Sequence, residues 1–279
     1  MSALKKKIFI VGGTHGNEWT GIFVVEKYAE FFKQKYPQLQ LEFILANPEA
    51  RKLGKRFKDE DLNRAFQFLE EKRENSYEHS RARELKEKLS EDCFIIDFHT
   101  TTSNMGKTLI LTSYDPLNLW VSSKVSSKFS DARIIGSPDP HKKYLASQSE
   151  QSLMIEVGPI ANGIVDPVVL EGSLALLDQI LSSLSDIPQT LNGEIDLYEE
   201  IEEISYPEDK EGISGYIHRD LMGKDFRPLS GGFKAFTLFN GEDVELKTNE
   251  ELYPIFINEA AYYPTRQAFT LCRRTRKSF

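Results

Sequence analysis

The sequence predicts an α/β fold in which a mixed, mostly parallel sheet is flanked by helices and followed by a smaller, C-terminal β-rich domain. In the first part of the 279-residue chain, short apolar runs alternate with amphipathic stretches, which is the pattern of parallel strands joined by helices. After Ile187-Pro188, glycine, proline and aromatic residues interrupt shorter β-prone runs. We therefore expect two domains, at residues 1–190 and 191–279.

Five apolar runs predict the strands of the larger domain. Most of them lack the polar–apolar alternation of a strand with one face in water, so we expect helices on both faces of the sheet. The runs are Lys7 to Val11, Leu41 to Ala46, Cys93 to Phe98, Thr108 to Thr112 and Leu153 to Val157.

Three stretches of the larger domain predict helices. From Asn17 to Tyr36 apolar residues recur near helical spacing, and Pro37 ends the pattern. The stretch from Glu78 to Leu89 is more polar and is typical of a solvated surface helix. A third helix is expected from Val168 to about Leu184, because Asp166-Pro167 forms a helix start.

The smaller domain begins with an acidic cluster from Glu194 to Glu211. Short β-prone runs follow that cluster and predict four strands. These are Ile213 to Ile217, Phe233 to Phe239, Leu252 to Ile257 and Phe269 to Cys272.

The overall composition excludes several classes of protein. A net charge of -8 and a pI near 5.3 argue against nonspecific binding to nucleic acid. Two cysteines, Cys93 and Cys272, form no disulfide framework and favour a reducing, cytoplasmic compartment. The N-terminal apolar run is too short for a secretory signal, and no stretch approaches the roughly 20 apolar residues of a membrane span, so we expect no membrane partner. The sequence leaves the oligomeric state open, and a homo-oligomer is compatible with it.

Two predicted strands end in residues that suit a catalytic zinc. His15 and Glu18 follow the first strand, and His99 follows the run from Cys93. Ligands collect at the carboxyl ends of strands in an open α/β sheet, and catalytic zinc takes three protein ligands. If these strands are neighbours, the three side chains share one crevice; taken singly, each is compatible with an ordinary surface or core residue. The remaining histidines lack such spacing and are expected at the surface; they are His79, His141 and His218.

Further candidates carry charge or a hydroxyl group. Glu156 closes an apolar strand, where an unpaired carboxylate is costly, so it is either ion-paired or kept for proton transfer. The cationic segment from Arg51 to Phe57, followed by Asp61-Leu62-Asn63-Arg64, is either a clamp for carboxylates or a solvated face. Tyr262 and Tyr263 are adjacent, which by pattern indicates one buried and one exposed ring.

Five segments of the chain, spread over both predicted domains, carry the candidate residues. The segments are GGTHGNEWTG at 12–21, DLNR at 61–64, DFHTTTSNMG at 97–106, IEVGP at 155–159 and NEAAYY at 258–263. Together and in this order they resemble the aspartoacylase and succinylglutamate desuccinylase family of zinc carboxypeptidase-like amidohydrolases.

The resemblance implies a zinc carboxypeptidase-like fold and a role for each candidate. It implies one Zn2+ per subunit held by His15, Glu18 and His99, with Glu156 as general base and proton shuttle. The same likeness implies that Arg56 polarises the scissile carbonyl. The residues that it implies contact the substrate are Arg56, Asn63, Arg64, Tyr144, Glu156 and Tyr262. Tyr262 would reach the cleft from the β-rich domain, which would then act as a lid.

One position departs from the pattern. Where aspartate-specific members carry an arginine that grips a substrate carboxylate, this chain has Gln148, which cannot pair ionically. Lys142 or Lys143 is a candidate to compensate. The resemblance implies hydrolysis of N-acetyl-L-aspartate, drawn to a positive pocket. The alternatives are an N-acetylated neutral or aromatic amino acid, which Gln148 favours, and carboxypeptidase action on short peptides.

Overall fold

The computed structural model describes residues 4–71, 76–89 and 92–279. Its strands are β1 (Lys7–Gly12), β2 (Gln40–Leu45), β3 (Cys93–Thr100), β4 (Gly106–Leu111), β5 (Ala132–Gly136), β6 (Ser152–Gly158), β7 (Glu194–Ser205), β8 (Glu208–Asp209), β9 (Gly212–Ile213), β10 (Gly215–Ile217), β11 (Leu229–Leu238), β12 (Asp243–Ile255) and β13 (Gln267–Ser278). Its α-helices are α1 (Trp19–Lys27), α2 (Ala29–Lys35), α3 (Pro48–Leu53), α4 (Leu62–Ala65), α5 (Tyr77–Lys88), α6 (Pro116–Lys128) and α7 (Pro167–Ser185). Short 3-10 helices cover Phe66–Phe68, Ala146–Gln148 and Ala260–Thr265.

Eleven of the described strands form one mixed sheet. Its order is β10, β11, β12, β13, β7, β5, β4, β6, β3, β1 and β2, and β8 and β9 form a separate ribbon. The block β2, β1, β3 and β6 is parallel, whereas β4 runs antiparallel to β6. The carboxyl ends of β1, β3 and β6 therefore meet at one edge of the sheet, where ligands bind in open α/β folds.

Helices cover both faces of the parallel block. Ile8 and Ile10 of β1 join a core with side chains of α1, α6 and α7, whereas Phe9 and Val11 join a core with α4 and α5. All eight residues of β3 and all seven of β6 are buried. This burial explains why the strands are apolar runs without alternation.

The C-terminal strands extend the same sheet. β7 pairs in parallel with β5 at Ile135↔Tyr198 and Gly136↔Glu199, and β13 then pairs antiparallel along β7. The predicted α/β class with a β-rich C-terminal part is confirmed. The division at residue 190 stays a prediction; that position lies between α7 and β7.

The predicted strands of the larger domain and one of its helices are confirmed, whereas another predicted helix is wrong. The five strands predicted for the larger domain correspond to β1, β2, β3, β4 and β6, and the helix after Asp166 is α7, whose N-terminus Asp166 caps through the N–H groups of Val168 and Val169. The single helix from Asn17 to Tyr36 is wrong. Tyr28, with φ -110° and ψ 0°, separates α1 from α2 and lets Phe32 pack into the core.

Several polar segments differ from the sequence predictions in secondary structure or in burial. The acidic run is mostly strand β7, because the cross-strand ladder with β13 supplies basic partners such as Arg276. The predicted strand from Ile213 is split between β9 and β10. Helix α5 is not simply a solvated helix, since Glu78 and His79 are buried. His218 is also buried, whereas His141 is exposed as expected.

One helix is apolar enough to match a membrane span by length and composition alone. This is α7, with 19 residues and a mean hydropathy of 1.3 in its most apolar window. The sequence expectation that no stretch approaches this length is therefore too strict. In the fold, Leu176, Leu177, Ile180 and Leu181 of α7 belong to the main core, so the helix covers the sheet.

Candidate active site

The loop after β1 carries two of the predicted metal ligands. Gly13 turns the chain with φ 69°, a conformation that L side chains rarely adopt. At Gly16 an added Cβ would lie 2.1 Å from the backbone carbon of Ala50, so only glycine fits there. The glycines of the motif thus allow the tight turn that holds His15 beside Glu18, the residue that precedes α1.

The third predicted ligand comes from the neighbouring strand. β1 and β3 pair in parallel, which places His99 beside the loop, and the His15 and His99 rings lie 5.0 Å apart. Glu18 Oε1 is 2.6 Å from His15 Nδ1, and Glu18 Oε2 is 3.2 Å from His99 Nδ1. One ligand atom from each of the three lies within 4.8 Å of the others, and all three side chains are buried.

The outer nitrogens of both imidazoles face carboxylates. His15 Nε2 lies 3.1 Å from Asp61 Oδ1, and His99 Nε2 lies 2.8 Å from Asp97 Oδ2. Asp97 is itself fixed by the Thr14 hydroxyl, which donates over 2.9 Å. A carboxylate behind each histidine is the usual partner of a metal-bound imidazole, since it sets the tautomer and ring orientation. The Nδ1 atoms are then left for a cation, so the donor set fits a metal.

The charges of this cluster reinforce one another. Burial alone would raise the pKa of Glu18, but the facing imidazoles of His15 and His99 outweigh it and lower that pKa. Burial would lower the pKa of His99, yet Asp97 and Glu18 raise it well above its ordinary value. The protein therefore holds Glu18 as a carboxylate, which is the form that binds metal.

Glu156 lies beside this cluster on the next strand. It is the register partner of His99 between β3 and β6, and it is 8% exposed. Within residues 4–71, 76–89 and 92–279, no group donates a hydrogen bond to its carboxylate. Burial raises the pKa of Glu156 well above its usual range, and Glu18 adds to that rise although His99 opposes it. An unpaired carboxyl with a raised pKa suits a group that accepts and returns a proton.

Arg56 is held from the other side of the cluster. Its Nε and Nη2 donate to Asp61 Oδ2 over 3.1 and 2.9 Å, and Nη1 lies 3.4 Å from Glu18 Oε1. Burial would lower the pKa of Arg56, but Asp61 and Glu18 raise it. Asp61 thus orients both His15 and Arg56, and it leaves Nη1 as the nitrogen with the weakest contact.

The helix after Asp61 presents Asn63 and Arg64. Asn63 Oδ1 accepts the Leu145 N–H over 3.0 Å, so only its Nδ2 is left to donate to a ligand. The Arg64 guanidinium lies 4.7 Å from the centre of the Tyr144 ring. Among the described residues, no carboxylate lies within ion-pair distance of Arg64. A guanidinium held against Tyr144 without an ion-pair partner is suited to binding an anion.

The β-rich part contributes the last predicted residue. Tyr262 packs edge-on against Phe256, 5.6 Å between ring centres, and lines the same cleft. Burial and the charge of Glu156 raise the pKa of Tyr262, so it stays a neutral phenol. Glu259, in the same segment, accepts the backbone N–H of Thr102 over 2.8 Å and also binds the Thr101 hydroxyl. Glu259 therefore ties this segment to the loop that follows His99.

All nine predicted site residues line one cleft, with a volume of about 880 Å³ including the part open to solvent. They are His15, Glu18, Arg56, Asn63, Arg64, His99, Tyr144, Glu156 and Tyr262.

Two expectations about substrate selection are wrong. Gln148 is 1% exposed, and its Nε2 donates to the carbonyls of Lys142 and Tyr144, so it faces no ligand. Neither Lys142 nor Lys143 lines the cleft. The cleft is also not a positive pocket, because six carboxylates line it beside two guanidinium groups: Glu18, Asp61, Glu156, Glu200, Glu203 and Glu259, with Arg56 and Arg64.

The sequence analysis did not identify Asp61 and Asp97, which orient the histidines, or Glu200 and Glu203, which line the cleft. Asp97 stands two residues before His99 on a strand, so both side chains point to one face, and that spacing was an available signal. Asp61 belongs to the DLNR segment, but its contacts with both His15 and Arg56 depend on the tertiary fold. Glu200 and Glu203 were assigned only to an acidic cluster, and no local pattern marks them.

Comparison with known proteins places this geometry in a family. Residues 5–184 match the model of the succinylglutamate desuccinylase/aspartoacylase catalytic domain, and residues 193–274 match the AstE/AspA barrel-sandwich hybrid domain. The chain belongs to the succinylglutamate desuccinylase/aspartoacylase family.

Relatives within this family divide between two names. A probable aspartoacylase of Trichodesmium erythraeum is 36% identical over 96% of this chain and 97% of its own. An N-acyl-aromatic-L-amino acid amidohydrolase of Xenopus tropicalis is 33% identical over 96% of this chain and 93% of its own. The crystal structure of murine aminoacylase 3 superposes with a TM-score of 0.89 at 30% identity, covering 100% of this chain and 98% of that one. This member of the family is therefore a hydrolase that acts on the amide bond of N-acyl amino acids.

Proposed function

We propose that this chain is a zinc-dependent amidohydrolase that releases a carboxylate and a free L-amino acid from an N-acyl-L-amino acid. The observation that carries the proposal is the buried His15, Glu18 and His99 cluster beside the unpaired carboxyl of Glu156. We assign one Zn2+ per subunit to the three ligands, because two imidazoles and one carboxylate with a further position for water are a catalytic zinc set.

The side chains divide the chemistry among them. When bound, zinc supplies a Lewis acid that lowers the pKa of a water and polarises the amide carbonyl. Glu156 accepts the proton of the attacking water and returns it to the leaving amine nitrogen. Arg56, through Nη1, stabilises the negative charge that develops on the carbonyl oxygen. Tyr262 closes the cleft from the β-rich side.

The free amino acid portion is held by the loop after Asp61. Arg64 pairs with the α-carboxylate, since its fork is stacked on Tyr144 and lacks a described carboxylate partner. Asn63 adds a hydrogen bond through Nδ2. These contacts place the scissile amide over the metal ligands and leave the amino acid side chain to the rest of the cleft.

Two substrate classes have support. N-acetyl-L-aspartate was the expectation from sequence, and relatives named probable aspartoacylase support it. Relatives named N-acyl-aromatic-L-amino acid amidohydrolase support the aromatic members of the neutral or aromatic class, and the acidic lining of the cleft supports a side chain without a carboxylate. We favour the second class, because a side-chain carboxylate would meet Glu200 and Glu203 with no second free guanidinium.

The proposal is tested by assaying the zinc-loaded protein with N-acetyl-L-aspartate, N-acetyl-L-tyrosine and an unblocked tripeptide. We expect amine release from the acetylated tyrosine. Faster cleavage of acetyl-aspartate would restore the first class, and efficient cleavage of the tripeptide would make the protein a carboxypeptidase. Full activity after the metal is stripped and excluded would reject the zinc mechanism.

We also propose that residues 191–279 act as a cover over the cleft and that the protein works in the cytoplasm on small molecules. Glu259, Tyr262 and Thr270 from this segment line the cleft beside the metal ligands. Cys93 and Cys272 are free and buried, as in proteins of reducing compartments.

A further inference from the structure

The face of the sheet that runs from Glu156 away from the metal ligands forms a further wall of the cleft, with Glu200 at its far end. β6, β4, β5 and β7 are consecutive in the sheet, and cross-strand neighbours share a face. Glu156 and Met154 of β6 therefore lie on the same face as Ile110 of β4, which pairs with Met154. The face continues from Ile110 across β5 and reaches β7 at Tyr198 and then Glu200.

Glu200 stands at the far end of this face. The Ser137 hydroxyl donates to its Oε2 over 2.6 Å, and a bulge in the β13–β7 ladder separates Glu200 from Glu202 in register. Bulges re-aim side chains, which is consistent with Glu200 and Glu203 lining the cleft while Glu202 does not.

Between the metal ligands and Glu200 the lining combines an apolar stretch with polar groups. Ile110, Met154 and Phe256 line this stretch, followed by the polar groups of Thr112 and Ser137. Three strand spacings, about 14 Å, separate the strand of Glu156 from the strand of Glu200. A long side chain with an apolar stem reaches further along this stretch towards Glu200 than a short acidic side chain does.

The charges on this wall favour one kind of terminal group on such a side chain. Arg56 forms ion pairs with Asp61 and Glu18, and Arg64 is assigned to the α-carboxylate of the substrate. Neither guanidinium is therefore free to bind a second carboxylate on the substrate. Glu200 is open to the cleft, yet burial and the charge of Glu203 raise its pKa, although the Ser137 hydrogen bond and the charge of Arg64 oppose that rise. A hydrogen-bond donor placed there would stabilise the charged form of Glu200, and a carboxylate would be repelled.

We infer that Glu200 is a specificity-determining residue and that the preferred N-acyl amino acids have a long apolar side chain ending in a hydrogen-bond donor. Lysine, arginine and tyrosine have this character. The inference rests on the proposed amidohydrolase function and adds to it the class of the amino acid side chain.

Matched substrate pairs test the inference. Nα-acetyl-L-lysine and N-acetyl-L-norleucine differ in the terminal ammonium, and N-acetyl-L-tyrosine and N-acetyl-L-phenylalanine differ in the hydroxyl. We expect the wild-type protein to prefer the donor-bearing member by about 10-fold in kcat/KM, the usual effect of a hydrogen bond to a charged group. Glu200→Gln should bring both ratios close to one, and the control Glu202→Gln, an exposed neighbour outside the cleft, should preserve them.

Several results would overturn it. The first is an equal kcat/KM within each pair for the wild-type protein. The second is a loss of activity in Glu200→Gln that is the same for all substrates. The third is that the protein turns over N-acetyl-L-aspartate fastest. If no substrate is hydrolysed, the proposed function fails separately. The specificity is then read by calorimetric binding of Nα-acetyl-L-lysine and N-acetyl-L-norleucine to Glu156→Gln, where equal affinities would contradict it.

Discussion

The metal corner (His15, Glu18 and His99) and the far wall of the cleft (Glu200 and Glu203) lie along the same sheet but differ in burial and hydrogen bonding. His15, Glu18 and His99 are at most 3% exposed, and carboxylates fix both imidazoles from behind. At the far wall, Glu200 and Glu203 are exposed. Under the proposed function, the chemistry would use the buried, hydrogen-bonded groups, whereas substrate choice would use the groups open to the cleft. Changes at the corner should affect every substrate, and changes at the wall only some.

The strongest test of this contrast is removal of a metal ligand. We expect His99→Ala to lose bound metal and at least about 10³-fold in kcat for every substrate, because metal catalysis supplies several kcal/mol of transition-state stabilisation. Metal content by mass spectrometry and steady-state kinetics check it. The exposed His141→Ala is the control and should keep both properties. Full metal and activity in His99→Ala would refute the assigned site.

The next effect separates proton transfer from metal binding. Glu156→Gln should lower kcat by about 10²–10⁴-fold, the usual contribution of a general acid–base group, and should retain the metal. The exposed Glu150→Gln is the matched control. Unchanged activity in Glu156→Gln would contradict the proposed mechanism, and loss of metal would make Glu156 part of the metal site.

A third variant tests whether the carboxylates behind the histidines matter. Asp97→Asn should weaken metal affinity by about 10–100-fold, because the amide no longer fixes the His99 tautomer. Competition with a fluorescent chelator measures it. An unchanged affinity would mean that burial alone orients the ring.

Arg64→Met tests the proposed contact with the α-carboxylate, a group that all the substrates share and that lies away from the metal ligands. We expect kcat/KM to fall by about 10–100-fold, mainly through KM, since a charge-assisted hydrogen bond to the α-carboxylate is lost. An N-acetyl amino acid amide, which lacks that carboxylate, should be cleaved equally by both proteins. The same loss with the amide would assign Arg64 a structural role.

The smallest effect on activity is expected at Asp225 in the β-rich part. Burial raises its pKa from 3.8 to about 6, and its Oδ2 has no hydrogen-bond partner in the described part of the chain. A raised folded-state pKa means that wild-type stability declines as pH rises from about 4 to about 6. Asp225→Asn should therefore be more stable at pH 7 by up to about 3 kcal/mol and no more stable below pH 4, with kcat unchanged. Denaturant titrations at both pH values check it, and equal stability at pH 7 would contradict it.

The metal corner was predictable because its signals are local. His15 and His99 each end a continuous apolar run, and parallel strands in an α/β sheet end on the same edge. The position of Glu156 at the end of another such run follows the same rule. Helix α7 was also predictable, since Asp166 and Pro167 form a cap within the sequence.

The far wall was not predictable because its signals are nonlocal. Gln148 is a separate case, because its partners are local: its Nε2 donates to the carbonyls of Lys142 and Tyr144, six and four residues earlier, where the chain forms a short 3-10 helix. Glu200 belongs to an acidic run that resembles a solvated surface. Its place in the cleft depends on pairing between β5 and β7 and on a bulge opposite β13.

By itself the sequence determined the α/β class, the strand ends and the residues that suit a metal, since each follows from periodicity and residue type over a few neighbours. Only the tertiary structure decided that Asp61 lies behind His15 and that Glu200 and Glu203 line the cleft. These features arise from contacts between segments far apart in the chain, such as Ser137 with Glu200, and no local pattern encodes them.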